Sequence, residues 1–259
     1  MKILITGYKG FIGQNMVKAL EDEHELSLYE WGDLLIDLDD VEWVVHLGAI
    51  SSTTETDVEK ILTQNLDFSI ALHEHCAKHN INFQYSSSAS VYGLGSVFSE
   101  DAPPDPKNAY AWSKYLFERY VTHNPSSSLV QGFRYFNVYG PHEDHKGKQA
   151  SPFHQFAEQA KSIGKIQLFE NSENHLRDFV HVDHIVNTHK KFFDVGESGL
   201  WNVGTGNTMS FLDVAKHTQS LYGGELEFVP MPEQLIGKYQ SYTKSDNTKI
   251  NECLRKWNV

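Results

Sequence analysis

The chain has 259 residues, 40% of them hydrophobic, with 34 acidic against 22 basic side chains and a formal net charge of -12. That length supports one large domain or two interleaved lobes around a sizeable core, and it excludes disorder as the default. A surface this acidic repels nucleic acid and anionic lipid, so an anionic ligand has to be met by a local basic cluster.

Cys76 and Cys253 are the only cysteines, too few and too distant for a disulfide scaffold or a four-thiolate metal site, which fits a reducing cytoplasm. The first residues, MKILITGYKGFIG, run straight into a strand without a signal-peptide apolar region, and no run of about 18 apolar residues follows. No membrane partner is expected.

Short apolar runs alternate with longer amphipathic stretches, the pattern of a doubly wound parallel α/β sheet of Rossmann type. In chain order the spacing predicts a strand at Lys2–Ile5, a helix at Phe11–Glu21, strands at Leu26–Glu30 and Trp43–Leu47, and a helix at Asp57–Lys78. A strand at Phe83–Ser86, a helix at Asn108–Val121 and a strand at Leu129–Arg134 follow. The segment WGDLLIDLDDVE leaves little room for another strand and helix before Trp43, so the sheet is expected to be trimmed there. After about residue 140 loop-rich stretches separate shorter elements, as in a ligand-covering lobe. Residues 1–140 therefore read as a dinucleotide-binding domain and 141–259 mainly as a substrate-binding lobe partly interleaved with its sheet.

Gly7, Gly10 and Gly13 in TGYKGFIG sit between the first strand and the first helix, where missing side chains let a pyrophosphate approach the helix N-terminus. Glu30 lies about 20 residues beyond Gly10, the place of a ribose-binding carboxylate. Trp31, Gly32 and Asp33 after it offer no cation for a 2′-phosphate, which favours NAD over NADP. The competing reading of Glu30 is a solvated strand end.

Tyr110 and Lys114 share one face of the predicted Asn108–Val121 helix, a turn apart. A cation beside a phenol lowers its pKa from about 10 by favouring the phenolate. Ser88 in YSSSASVYG falls just past the carboxyl end of a strand, where the ligand sites of such sheets gather.

Together TGYKGFIG, SSSASVYG and YAWSK resemble the extended short-chain dehydrogenase/reductase family. The resemblance implies Tyr110 as acid/base, Lys114 as its electrostatic partner and ribose anchor, and Ser88 as donor to the reacting oxygen. It also implies cofactor contacts from Gly7, Gly10, Phe11, Ile12, Gly13, Glu30, Leu47, Gly48 and Ala49, with Asn65 of QNLDFSIAL shaping the site. Dehydratases of the family carry an Asp-Glu pair where this chain has Ala89 and Ser90, so dehydration is disfavoured.

HLGAISSTTETD (46–57), GFRYFNVYGPHEDHKG (132–147), LFENSENHLRDFVHV (168–182) and GKYQSYTKSD (237–246) are similar to the ADP-L-glycero-D-manno-heptose 6-epimerase branch of that family. This implies epimerisation of a nucleotide-linked sugar by transient oxidation, with Lys146 of HKG as a second acid/base. Against that stands an ordinary solvated loop lysine. Substrate contacts are implied for Ser51, Asn137, His154, Phe169, Ser172, Arg177 and Tyr239; Lys148 stands where the relatives have serine. Arg177 suits a diphosphate through its bidentate fork, against simple pairing with Asp178.

Fourteen histidines invite a metal reading, at His181 with His184 or His142 with His145, but neither pair has companions at zinc spacing. Relative to the branch the chain has lost material between Glu30 and Trp43 and after Trp257. Two rival readings remain: a 4-epimerase or reductase of a UDP- or GDP-sugar, and a non-catalytic NAD-binding sensor. The resemblance implies a homo-oligomer, a dimer first, through the helices at 57–78 and 108–121, with Leu116, Phe117 and Val121 as apolar contacts or as core.

Overall fold

The computed structural model describes residues 1–33, 38–233 and 239–259. Its first half runs β1 (Lys2–Thr6), α1 (Phe11–Leu20), β2 (Glu25–Tyr29), β3 (Trp43–His46), α2 (Val58–Ile61), α3 (Phe68–His79), β4 (Asn82–Ser88), α4 (Ala109–His123) and β5 (Val130–Tyr135). The second half holds β6 (Asn137–Tyr139), α5 (Pro152–Ile163), β7 (Lys165–Phe169), β8 (Leu176–Arg177), β9 (Phe179–His181), α6 (Val182–Phe192), β10 (Gly199–Val203), β11 (Met209–Ser210), α7 (Phe211–Tyr222), β12 (Glu225–Val229) and α8 (Thr248–Trp257).

Six strands form one sheet in the order β10-β5-β4-β3-β1-β2, every pair parallel. Strands such as KILIT and WVVH are nearly continuous apolar runs because helices cover both faces of a parallel sheet. One face buries Ile3, Ile5, Trp43 and Val45 against Phe11, Met16 and Leu20 of α1 and Val182 and Val186 of α6. The other buries Leu4, Val44, Phe83 and Tyr85 against Leu72 and Cys76 of α3 and Phe117 of α4. Burial of this kind contributes about 25 cal/mol per Å² of apolar surface removed from water.

β2 is the sheet edge, and β3 follows it with no further strand among the described residues. Residues 34–37, where the sequence leaves room for little, lie outside those described, as do Gly237 and Lys238 of the GKYQSYTKSD stretch. β10, which the apolar pattern did not single out, returns from the second half of the chain to pair with β5. The remaining elements make a lobe in which α5, α7, β7 and β12 close over Phe156, Ile166, Leu168, Phe179 and Val214.

The expected Asp57–Lys78 helix is interrupted. Between α2 and α3 residues Leu62–Asp67 form a π-helix, which widens the spiral and carries Asn65 inward to 1% exposure. Such bulges are rare and cluster at functional sites.

Candidate active site

The strand order reverses between β1 and β3, and crevices outside the carboxyl ends of strands at such a point are where open α/β sheets bind ligands. Gly7 turns there with a φ of +73°, and a Cβ on it would lie 2.5 Å from the Cα of Gly48 at the end of β3. A Cβ on Gly13 would lie 2.1 Å from the Gly7 carbonyl oxygen. Glycine is thus required at both positions for helix and strand ends to touch. Gly10 caps α1 without any side-chain bond, so the N–H groups of Phe11, Ile12 and Gly13 face outward at the positive end of the helix dipole.

A cleft continues from this turn along Thr6, Tyr29, Glu30, Trp31, Gly48, Ala49, Ile50, Gln64 and Phe68. Phe68 stacks on Tyr29 at 5.4 Å and meets Trp31 edge-on at 5.4 Å, making an aromatic wall. The Glu30 carboxylate is fixed at the cleft mouth, accepting from the backbone N–H of Lys9 at 3.2 Å and of Trp31 at 3.3 Å. The residues fit a dinucleotide: a side-chain-free cradle for the pyrophosphate, a carboxylate for the ribose and a flat apolar wall for a base. Trp31, Gln64 and Phe68 were not singled out from the sequence. Only the position of Trp31, next to Glu30, could have flagged one of them.

α4 is capped by Asn108, whose side-chain oxygen accepts from Ala111 N–H at 2.9 Å and so sets the phase of the first turn. That phase turns Tyr110 toward Ser88 at the end of β4. Burial pushes the Tyr110 phenol up, and a hydrogen bond with the Ser88 hydroxyl draws it part of the way back. Ser88 also accepts from Ser90 N–H at 3.1 Å. Lys114, 5% exposed, donates to the Ser86 carbonyl at 2.8 Å and to Ser86 Oγ at 3.2 Å. Burial pushes its ammonium down to about 8, opposed by Glu118 one turn on. The expected lowering of the phenol by Lys114 is therefore corrected: the ammonium is held by the Ser86 carbonyl, and what acts on Tyr110 is burial and Ser88.

Asn65 accepts from Ile50 N–H at 2.7 Å and donates to Ile50 O at 2.9 Å and Ser113 Oγ at 3.1 Å. Both amide hydrogens are used within the protein. They tie the loop after β3, which holds Leu47, Gly48, Ala49 and the exposed Ser51, to the helix bearing Tyr110.

Lys146 sits in a short 3-10 segment, Asp144–Gln149, that folds back over α1. Its Nζ lies 4.8 Å above the Phe11 ring and 3.6 Å from Glu143 Oε2, with the side chain only 20% exposed. Burial lowers its pKa while Glu143 raises it. Glu143 is itself 1% exposed and fixed by Gly140 N–H at 3.1 Å, Ser151 N–H at 2.6 Å and Ser151 O–H at 2.7 Å. The sequence reading missed Glu143, although its spacing three residues before Lys146 was a visible signal. Lys148 is exposed, and His154 places Nε2 4.0 Å from Asp144 Oδ1 at the start of α5.

In the lobe, Arg177 is 6% exposed, its guanidinium 5.2 Å over the Tyr239 ring and 5.6 Å over that of Phe211. Phe169 meets Tyr239 edge-on at 6.3 Å. Ser172 is 1% exposed with its hydroxyl lacking any protein partner. Asn137 joins this group through Oδ1, which accepts from Thr243 Oγ1 at 3.3 Å. No cluster of three or more metal-ligating side chains occurs among the described residues. None of their helices is long and apolar enough to cross a membrane.

A six-stranded parallel sheet, a glycine cradle at its reversal and a Ser-Tyr-Lys group beside the strand ends define the class, a dinucleotide-dependent enzyme. Residues 30–204 match the NAD dependent epimerase/dehydratase family, and the chain belongs to it. The cofactor is NAD. An ADP-L-glycero-D-manno-heptose-6-epimerase of Brachyspira hyodysenteriae is 39% identical over 288 aligned positions, covering 96% of this chain and 90% of that protein. Among solved structures, the ADP-L-glycero-D-manno-heptose-6-epimerase of Helicobacter pylori has a TM-score of 0.81 at 24% identity, covering 100% of this chain and 96% of the other. The UDP-glucose 4-epimerase of Thermotoga maritima reaches 0.84 at 25% identity, covering 97% and 92%.

Proposed function

We propose that the protein inverts carbon 6 of an ADP-linked glycero-manno-heptose without net redox change. The observation that carries this reading is Lys146, a cation lodged over Phe11 beside the glycine turn and not in solvent. It provides a second proton-transfer group, distinct from Tyr110, next to the cofactor cradle. A 4-epimerase, whose keto sugar can swing over one tyrosine, has no need of it.

Bound NAD would take a hydride from the sugar carbon and return it. Tyr110, aligned by Ser88, accepts the proton of the substrate hydroxyl, and Ser88 donates to the oxygen as it becomes a carbonyl. Lys114, its ammonium held by Ser86, anchors the ribose of the cofactor. Once the keto sugar presents its other face, the Lys146 ammonium delivers a proton to the re-formed alkoxide. Arg177 holds the diphosphate, with Phe169, Ser172, Tyr239, Asn137, His154 and Ser51 around the rest of the substrate. Glu30 accepts from the adenosine ribose and repels a 2′-phosphate, consistent with NAD.

The chain works as a homodimer in the cytoplasm on this reading. Cys76 and Cys253 are unbridged and buried. Phe117, one of the expected apolar contacts, is 3% exposed and belongs to the core, whereas Trp112 at 47% and Leu116 at 39% lie four residues apart on the outer face of α4.

Incubating the pure protein with NAD and a panel of ADP-, UDP- and GDP-linked sugars, with NMR of the products, tests the proposal. Inversion at carbon 6 of the ADP-heptose supports it, with turnover lost in Lys146→Met. Inversion of a UDP-sugar at carbon 4 with the heptose untouched overturns it.

A further inference from the structure

We infer that His46 is a positioning residue: as a neutral imidazole with its proton on Nε2, it joins the cofactor loop to the helix of Tyr110 through a one-way chain of buried hydrogen bonds. The inference rests on assigning residues 47–50 to the cofactor.

The direction of the chain follows from counting hydrogens. Ser69 Oγ lies 2.6 Å from the Asn65 carbonyl oxygen, which can only accept, so the Ser69 hydroxyl proton is committed there. Ser69 Oγ is also 2.7 Å from His46 Nε2, so that nitrogen must be the donor. A neutral ring then leaves Nδ1 as an acceptor, and its partner at 2.6 Å, Thr6 Oγ1, donates to it. Thr6 Oγ1 in turn accepts from Gly48 N–H at 3.3 Å. At the other end Asn65 Nδ2 donates to Ser113 Oγ at 3.1 Å, and Ser113 donates to the Tyr110 carbonyl oxygen at 2.8 Å.

One ordered run thus passes from Gly48 through Thr6, His46, Ser69, Asn65 and Ser113 to Tyr110. It joins the ends of β1 and β3, the π-helix and the first turn of α4, and a hydroxyl or amide is satisfied at every step. The surroundings keep the ring neutral: His46 is 2% exposed, lies between the rings of Phe68 at 5.7 Å and Phe83 at 5.8 Å, and feels the charge of Lys114. Burial, aided by Lys114, pushes its pKa down to about 3. A second proton on Nδ1 would reverse that bond, making Thr6 Oγ1 the acceptor and leaving the Thr6 hydroxyl proton without its partner.

Nitrogen-15 NMR of the full chain tests the tautomer without any substrate. A proton on Nε2 and none on Nδ1 from pH 6 to 8 is expected, whereas the Nδ1-H tautomer or an imidazolium overturns the inference. His46→Phe keeps the ring but removes both bonds, and is expected to weaken NAD binding by calorimetry on the order of tenfold and to lower kcat on a similar scale. His46→Gln, whose amide can donate to Ser69 and accept from Thr6, is expected to recover most of both. NAD affinity within twofold of the parent in folded His46→Phe, or no recovery in His46→Gln, overturns it.

Should His46→Phe fail to fold, Ser113→Ala removes the last two links, from Asn65 and to Tyr110, and leaves the bonds of His46 in place. That variant is expected to lower kcat while leaving NAD affinity unchanged, and a kcat equal to that of the parent overturns the inference. If the parent itself fails to turn over the ADP-heptose, it is the substrate assignment that fails; the tautomer and NAD-affinity measurements still decide the role of His46.

Discussion

Arg177 and Asp178 are adjacent in the chain but do not pair. The Asp178 carboxylate accepts from the backbone N–H of Thr205 at 2.8 Å, Gly206 at 2.8 Å and Ser245 at 3.0 Å, and from the Thr205 hydroxyl at 2.7 Å. Arg177 is left buried with two aromatic faces, a hydrogen bond with the Tyr239 phenol, a donated bond to the Leu176 carbonyl at 3.1 Å and no acidic partner among the described residues. A buried cation in that condition is costly to the free protein and useful only toward an anion.

Arg177→Met is therefore expected to separate binding from stability. Losing charge-assisted bonds to a diphosphate, worth about 1.5–3 kcal/mol, should raise KM for the nucleotide sugar roughly 10- to 100-fold. The urea midpoint without substrate should stay level or rise, because no protein carboxylate is orphaned. Steady-state kinetics alongside urea titration reads both; a fallen midpoint with unchanged KM would assign Arg177 to structure alone.

Lys114 carries a pH signature. Its ammonium is depressed from an ordinary 10.5 to about 8 in the folded chain. Below pH 8 both folded and unfolded chains hold the proton, and the folded one bears the burial penalty. Between 8 and 10.5 the unfolded chain binds more protons, so stability contributed by this group rises with pH, is complete above 10.5, and is lost as pH falls through about 8. Relative to Lys114→Met, the parent should gain on the order of 3 kcal/mol between pH 7 and 10.5. Denaturant titrations of the two proteins across that range check this, and a flat difference contradicts it.

Much of this site was legible because it is local. The strand, glycine turn and helix of TGYKGFIG follow from spacing alone, and a four-residue step places Tyr110 and Lys114 on one face whatever the rest of the chain does. Where the Lys114 ammonium ends is a different matter, since period tells which face a side chain leaves from and not which acceptor it reaches. Ser86 lies 28 residues away and competes through a buried carbonyl. The π-helix was hidden for a related reason: one wider turn does not disturb an amphipathic pattern enough to be read. β10 escaped because its run, GLWNV, is short and takes strand geometry only from pairing with β5.

Glu143 and Lys146 supply the next prediction. The carboxylate raises the lysine pKa against burial, so Glu143→Gln should lower it further and move the basic limb of the kcat profile to lower pH. The amide of that variant keeps the shape but cannot accept at every oxygen site now used by Gly140 and Ser151, so some stability is lost as well, about 1–3 kcal/mol. A pH–rate profile taken under folded conditions separates the two effects. An unmoved basic limb would show that Lys146 does not set it.

In the homodimer proposed above, the outer face of α4 is the expected interface. Trp112 and Leu116 stand a turn apart at 47% and 39% exposure, while their neighbour Phe117 is locked against Phe83 and Tyr85. Two copies meeting across α3 and α4 would cover the exposed pair without disturbing the core, because the core contacts lie on the opposite side of the helix. Trp112→Glu with Leu116→Glu places four carboxylates in such a dimer interface, where like charges without partners are strongly unfavourable. Sedimentation is expected to show dimers for the parent and monomers for the double variant, with a melting temperature close to the parent's once the concentration-dependent contribution of association is removed. A double variant that still sediments as a dimer would move the interface elsewhere on the molecule.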